Sequence, residues 1–124
     1  MKEFSKKWKS SGKPRKQVKY RANAPLHMRH KFLNAKLSKD ASKKYGIKRI
    51  AVRKGDKVKI LRGQFNGKIG KINRVDMLNT KIYIDGIERT KTEGSKSFYP
   101  IHPSNVLIVE MSMDDKRRNK RKAK

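Results

Sequence analysis

Few residues in this chain have the types and spacing that catalysis or metal binding requires. His27 and His30 are three positions apart, but no acidic residue lies near them and the chain contains no cysteine. His102 lies between two prolines, where it is better suited to fixing a tight turn. Asp114 and Asp115 precede a basic tail and are more typical of a solvated segment than of a metal site. Phosphate-loop, dinucleotide and serine-nucleophile motifs are absent, so we expect no enzyme activity and no cofactor.

The chemistry that the composition favours instead is the neutralisation of phosphates. The 124 residues include 36 Lys and Arg and only 10 Asp and Glu, which gives a net charge of +26 at pH 7. Basic and acidic residues number 17 and 2 over residues 1–50, 12 and 6 over 51–110, and 7 and 2 over 111–124. So large a charge opposes compaction unless a polyanion offsets it, so we expect nucleic acid as a partner.

One basic segment, "VRKGDKVKILRGQFNGKIGKI" at residues 52–72, also combines glycines with alternating apolar residues. Its cations can attract phosphates, Gln64 and Asn66 can hydrogen-bond base edges or 2′-hydroxyl groups, and Phe65 can stack on a base. Phe65 could equally pack inward. The RNA-binding residues predicted in and just after this segment are Lys54, Arg62, Gln64, Phe65, Asn66, Lys68, Lys71 and Arg74.

The apolar residues are densest over residues 51–110, which predicts one small folded domain there. Val58 and Ile60 alternate with lysines as in a β-strand. The pair Asn66-Gly67 predicts a hairpin with a type I′ turn, and a bulge at Gly70 would restore the alternation that follows. We expect four glycines to let a short sheet bend sharply enough to close on itself: Gly55, Gly63, Gly67 and Gly70.

Three more strands complete the predicted barrel. Ile82 and Ile84 mark the third strand. Residues 85–86 form either a turn or a second bulge, and a bulge is favoured because residues 92–95 suit a polar turn better. The fourth strand is expected around residues 97–101. Residues 106–109 are expected to form a fifth strand buried on both faces, although their periodicity also fits a buried helical turn. The predicted fold is mainly β, with a small five-stranded barrel at residues 51–110, preceded by two short α-helices and a basic extended arm.

The residues before the barrel are basic. Residues 1–24 show no sustained periodicity and predict an extended arm. Residues 25–50 predict two short helices: Leu33 and Leu37 belong to a helical stripe, and Ser38 suits the N-cap of the second helix. Residues 111–124 form a basic C-terminal tail. The RNA-binding residues predicted before the barrel are Lys13, Arg15, Lys16, Lys19, Arg21, Arg29, His30 and Lys31.

The glycine spacing resembles the KOW motif, an SH3-like barrel element of ribosomal and transcription-elongation proteins. The matching pattern is Gly55-x-x-Val58-x-Ile60-x-x-Gly63-x-x-x-Gly67-x-x-Gly70-x-Ile72. The segments "NAPLHMRHKFLNAKLSKDASKKYGIKRIAVRKGD" at residues 23–56 and "IHPSNV" at 101–106 resemble the family of universal large-subunit ribosomal protein twenty-four, numbered twenty-six in eukaryotes. The short basic tail is more similar to the archaeal form.

The resemblance implies a structural protein of the large ribosomal subunit in the cytoplasm. It implies direct binding to 23S-type rRNA, a place near the polypeptide exit tunnel and a part in nucleating subunit assembly. Neighbouring ribosomal proteins are the other implied partners, and no small-molecule substrate is implied. A KOW-containing transcription-elongation protein and a DNA-compacting protein stay open as alternatives. A membrane partner is not expected, because a membrane-active helix would need a larger apolar face than residues 26–37 offer.

Overall fold

The computed structural model describes residues 11–120, so the first ten residues of the predicted arm and the last four of the predicted tail lie outside the described residues. The described part of the chain contains the helices α1 (Pro14–Asn23), α2 (Leu26–Phe32), α3 (Lys39–Tyr45) and α4 (Lys116–Lys120). The strands are β1 (Asn34–Leu37), β2 (Arg49–Ala51), β3 (Lys57–Ile60), β4 (Ile69–Asp76), β5 (Lys81–Ile84), β6 (Glu88–Thr90), β7 (Lys96–Phe98) and β8 (Val106–Glu110). A 3-10 turn, Pro103–Asn105, precedes β8.

Six of these strands form one sheet in the order β2-β1-β8-β3-β4-β5. Strand β1 pairs with β8 in parallel, and the other pairings in this sheet are antiparallel. Strands β6 and β7 form a separate hairpin, and a bridge between Ile82 and Ile101 joins the chain after β7 to β5. This architecture confirms the predicted mainly β fold and is consistent with a small SH3-like barrel preceded by helices. The structure has more strands than the five predicted, because β1 and β2 were missed and a turn at residues 85–86 divides the predicted third strand into β5 and β6.

The core joins residues from both halves of the chain. Val58, Ile60 and Ile108 from the sheet are buried, and Leu37 and Tyr45 from the preceding segment belong to the same apolar cluster. Strand β1 brings this segment into the sheet by pairing directly with β8. The residues before the barrel are therefore part of its packing. The boundary placed at residue 51 stays a prediction.

Part of the predicted arm is helical, which corrects the sequence interpretation. Helix α1 begins at Pro14 and ends at Asn23, and none of its residues is buried. Proline is favoured in a first helical turn, and Lys, Arg, Gln and Ala are good helix formers. An exposed helix needs no apolar stripe, so the missing periodicity gave no sign of it.

Both helices predicted for residues 25–50 are present, but the first is shorter than its apolar spacing indicated. Helix α2 ends at Phe32, and the following residues form β1, in which Leu37 faces the core. The predicted cap of the second helix is confirmed, because the Ser38 hydroxyl accepts a hydrogen bond from the Ala41 N–H at 3.2 Å. The spacing of Leu33 and Leu37 fits a helix, but Ala35 between them is buried as well, which is the period of a strand.

The predicted type I′ turn at Asn66-Gly67 was wrong. Positive φ values occur at Gly63 (96°) and Gly67 (89°), but not at Asn66. The Gly67 N–H donates to the Ile60 carbonyl at 2.8 Å, and the Asn66 N–H donates to the Gly63 carbonyl at 3.2 Å. Strands β3 and β4 are therefore joined by a longer loop, residues 61–68, in which two glycines adopt a backbone conformation that other residues rarely accept.

The predicted bulge at Gly70 was also wrong. The β3–β4 register continues unbroken past Gly70, and Ile69 simply points outward with 54% of its surface exposed. Glycine is required here because a Cβ would lie 2.7 Å from the Asp85 carbonyl oxygen. The role of Gly70 is to let two parts of the chain approach closely, which replaces the turn role predicted for it.

The irregularity in β4 lies at Asn73. Ile72 pairs with Ile84, but the next pair joins Arg74 to Tyr83, so Asn73 is the extra residue. A bulge of this kind changes which face of the sheet the following side chains occupy. The predicted bulge at residues 85–86 is a tight turn instead, closed by a hydrogen bond from the Ile87 N–H to the Ile84 carbonyl.

The last part of the barrel agrees more closely with the sequence prediction. The polar turn at residues 92–95 is present and joins β6 to β7. His102 fixes the 3-10 turn as expected, because its Nδ1 accepts from the Ser104 N–H at 3.1 Å. Strand β8 lies between β1 and β3. Its Val106 and Ile108 are buried, whereas Leu107 is only half-buried, so β8 is fully buried on one face rather than both.

Candidate nucleic-acid interface

The loop of residues 61–68 presents most of the polar side chains predicted for it. The exposed ones are Arg62, Gln64, Asn66 and Lys68. Phe65 is half-buried, because its ring packs on Tyr99 with 5.2 Å between ring centroids. The Lys68 ammonium lies 5.1 Å from the centroid of the Phe65 ring, so this aromatic side chain also positions a cation. The structure thus supports the inward-packing interpretation of Phe65.

A second group of predicted cations lies on β4 and on the loop before β3. Lys54 is exposed next to Gly55, whose φ of 93° fits the turn predicted there. Lys71 and Arg74 are exposed on β4. The Arg74 guanidinium lies 4.3 Å from the centroid of the Tyr83 ring, a contact made possible by the bulge at Asn73. The bulge at Asn73 and the Tyr83 ring together fix the direction of the Arg74 guanidinium.

Helix α1 and its neighbour carry the remaining predicted cations. All five side chains predicted at residues 13–21 are exposed: Lys13, Arg15, Lys16, Lys19 and Arg21. Lys31, on α2, is exposed too, whereas His30 is half-buried. Because α1 buries no residue, its exposed surface is free to meet a large polyanion along its length.

The Arg29 side chain forms hydrogen bonds with backbone groups of the same chain. Its guanidinium donates to the carbonyl oxygens of Ala24 at 2.8 Å, Leu78 at 2.7 Å and Ala22 at 2.5 Å. These bonds tie the junction of α1 and α2 to the turn between β4 and β5. The structure therefore gives Arg29 a structural part, and the RNA contact predicted for it stays a prediction.

The sequence interpretation missed a buried ion pair between Asp56 and Arg118. Arg118 Nη1 lies 2.6 Å from Asp56 Oδ1 and Nη2 lies 2.5 Å from Oδ2, and the two side chains are almost fully buried. The Ser112 N–H also donates to Asp56 at 2.8 Å, and Arg118 donates to the Ala51 carbonyl at 3.1 Å. Residues 111–118 therefore fold back on the barrel, which corrects their assignment to a basic tail. The two partners are 62 positions apart, a distance at which neither residue type signals the other.

The acidic pair at residues 114–115 is likewise more than a solvated feature. Asp115 forms an ion pair with Arg53 and accepts from the Arg117 N–H at 2.8 Å, at the beginning of α4. The hydrogen bond from Arg117 and the charge of Arg53 lower the pKa of Asp115 below its usual value. The two aspartates at positions 56 and 115 thus fix the C-terminal segment to the residues around Arg53.

Within residues 11–120, no group of three or more His, Asp or Glu side chains is placed to hold a metal ion. Over the same part of the chain, no helix has the length and apolar character to cross a membrane.

Comparison with known proteins identifies the family. A family model that describes the ribosomal proteins L26 of eukaryotes and their archaeal counterparts matches residues 11–124. The chain belongs to this L26 family. The large ribosomal subunit protein uL24 of Pyrobaculum islandicum is 49% identical over 111 residues, which cover 90% of this chain and 90% of that protein.

Membership of the L26 family confirms the resemblance found in the glycine spacing and its flanking segments. It displaces the two alternatives, a transcription-elongation protein and a DNA-compacting protein. The exposed cations of α1, of β4 and of loop 61–68 thus belong to a ribosomal protein.

Proposed function

We propose that the chain is a non-catalytic, structural component of the large ribosomal subunit that binds large-subunit rRNA directly. The observation that carries the proposal is the exposure of the predicted cations: every Lys and Arg among them, except Arg29, projects into solvent. These side chains extend from α1 to β4, so the basic surface involves several elements of the fold. The 49% identity to a large ribosomal subunit protein supports the same partner.

The family resemblance extends the proposal to the place of the protein in the ribosome. On that basis, the chain works in the cytoplasm, lies near the polypeptide exit tunnel beside neighbouring ribosomal proteins, and takes part early in subunit assembly. The ion pairs of Asp56 and Asp115 support direct binding to rRNA. They hold residues 111–118 in one position before any RNA is bound. A preformed surface loses less conformational entropy on binding.

The salt dependence of binding to a large-subunit rRNA transcript tests this proposal. If about ten cations meet phosphates, log K should fall against log[salt] with a slope of roughly −7 to −9. Lys68→Ala should weaken binding and flatten the slope by about one unit. Lys91→Ala, which removes a lysine outside the predicted interface, is the matched control and should leave the slope unchanged. A parent slope shallower than roughly −3 would contradict the proposal, because few phosphates would then be contacted.

A further inference from the structure

A cleft of about 510 Å³ lies beside α2 and β4, apart from the glycine loop. It is bounded by the end of α2, by the segment that follows β2, and by β4 with the residue after it. Its size falls within the range of roughly 300–1,000 Å³ that small-ligand sites occupy. Neither the KOW pattern nor the exposed basic residues predict a concave site at this place.

The floor of the cleft is apolar. Leu33 and Val52 form its buried part, and Val75 and Met77 are partly buried and pack on the core. Val75 faces this way because the bulge at Asn73 reverses the alternation of β4, so that Val75 pairs with the buried Ile82. Methionine is flexible and polarisable, which suits contact with a flat aromatic ring.

The rim of the cleft is cationic. It is lined by Arg53, Lys54 and Arg74. Among residues 11–120, no Asp or Glu side chain lines the cleft. Two of these groups are held in place: Arg53 by an ion pair with Asp115, which offsets part of its charge, and Arg74 by the Tyr83 ring, which leaves its charge available. Guanidinium groups that are fixed before binding suit the recognition of phosphate.

Two further polar side chains complete the lining. His30 lies at the cleft, and so does Asn73, whose amide nitrogen donates to Asp85 Oδ1 at 2.9 Å. The Asn73 side chain also has an amide oxygen, which is a hydrogen-bond acceptor. Single-stranded RNA is recognised by this combination of apolar contact with the base, hydrogen bonds to its edge and cations near its phosphate.

We propose that this cleft holds one unstacked nucleotide of the rRNA. The base lies against Val75 and Met77, and the phosphate meets Arg53, Lys54 and Arg74. The inference rests on the proposed function and deepens it, because it names a site that contacts a base as well as a phosphate. A free phosphate would leave the apolar floor uncovered, and an uncharged peptide would leave the cationic rim unpaired.

Titration of the large-subunit rRNA transcript with Met77→Gln tests the site. This change keeps the net charge and nearly the length of the side chain but removes apolar contact with a base. We expect affinity to fall roughly 2- to 10-fold with no change in the salt slope, because the contact of a thioether with a base releases no counterions. Lys54→Gln should lower affinity as well and flatten the slope by about one unit. Leu78→Gln, at an exposed position next to Met77 but outside the cleft, is the matched control and should bind like the parent.

If Met77→Gln binds like the parent while Lys54→Gln flattens the slope, the cleft contacts phosphate only and the inference is wrong. Equal losses in Met77→Gln and Leu78→Gln would contradict it too. A parent protein that fails to bind rRNA would instead contradict the proposed function, so the two failures are distinguishable.

A second measurement covers the case in which Met77→Gln does not fold. In the parent labelled with ¹³C at its methionine methyl groups, the Met77 resonance should shift when the rRNA transcript binds, and the buried Met111 resonance should stay in place. An unchanged Met77 resonance in the complex would overturn the inference. So would a shift caused equally by a hexaglutamate peptide, because the cleft would then fit an acidic peptide rather than a nucleotide.

Discussion

His102 shows how one side chain makes a turn depend on pH. Its Nδ1 accepts from the Ser104 N–H and lies 2.8 Å from the Ser104 hydroxyl. Burial, together with the positive charges of Lys81 and Arg21, lowers the pKa of His102 below its usual value of about 6.5. A protonated Nδ1 cannot accept the backbone hydrogen bond, so the folded state favours the neutral ring.

The lowered pKa predicts a loss of stability on mild acidification. The contribution of His102 is fully present above about pH 6.5, the pKa of an unfolded histidine, and it is lost as the pH falls through the lower folded-state pKa. We expect the melting temperature of the parent to fall more between pH 7 and 5 than that of His102→Asn. Asparagine keeps an acceptor at this capping position and does not titrate. Melting curves whose pH dependence is the same for the two proteins would contradict this assignment.

The glycines show how far single residues can be interpreted from sequence. Gly55, Gly63 and Gly67 adopt positive φ, which the sequence interpretation predicted for Gly67 but within the wrong type of turn. Gly70 was expected to form a bulge, but glycine is needed there for another reason. The atom that excludes a Cβ is the carbonyl oxygen of Asp85, on a neighbouring part of the fold. The structural part of Arg29 was not predicted for the same reason, because one of its acceptors, the Leu78 carbonyl, is 49 positions away. Contacts at such separations leave no local pattern in the sequence.

Segments with one buried face were predicted best. Val58 and Ile60, Ile82 and Ile84, and residues 106–109 carry clear apolar patterns, and each lies in a strand as predicted, although β3 and β5 end earlier than expected. Helix α1 has no buried face and could not be found by periodicity. Strand β1 is too short for its alternation to be told from a helical stripe, and its pairing with β8 lies far along the chain.

The C-terminal segment depends on the buried pair of Asp56 and Arg118. Removing one partner of such a pair leaves a charge buried without compensation, which costs about 3–5 kcal/mol. We therefore expect Asp56→Asn to lower the free energy of unfolding by about that amount, as measured by urea denaturation. Asp40→Asn changes an exposed aspartate in the first turn of α3 and should cost only about 0.3–1 kcal/mol.

Arg118→Met tests the same contact from the other side. Asp56 would keep hydrogen bonds from the backbone N–H groups of Arg53 and Ser112, so we expect a smaller loss than for Asp56→Asn. The double variant should lose less than the sum of the two single losses, since each change removes the same interaction. Additive losses, or a loss in Asp56→Asn no larger than that in Asp40→Asn, would show that this pair does not hold the segment.

The molecule as a whole combines a small apolar core with a net charge of +26. Two of its few acidic residues, Asp56 and Asp115, form ion pairs with arginines of the same chain. Eight of the 36 Lys and Arg are the exposed cations of α1, of β4 and of loop 61–68. So large a positive charge favours contact with a polyanion, which agrees with the proposed binding to rRNA.

Sedimentation of the tagged full chain through a sucrose gradient tests the central claim most directly. We expect the protein to migrate with large ribosomal subunits at moderate salt, to move to the top of the gradient after treatment with ribonuclease, and to be unaffected by deoxyribonuclease. The claim would be contradicted by protein that stays at the top of the untreated gradient, or that leaves its complex only after treatment with deoxyribonuclease.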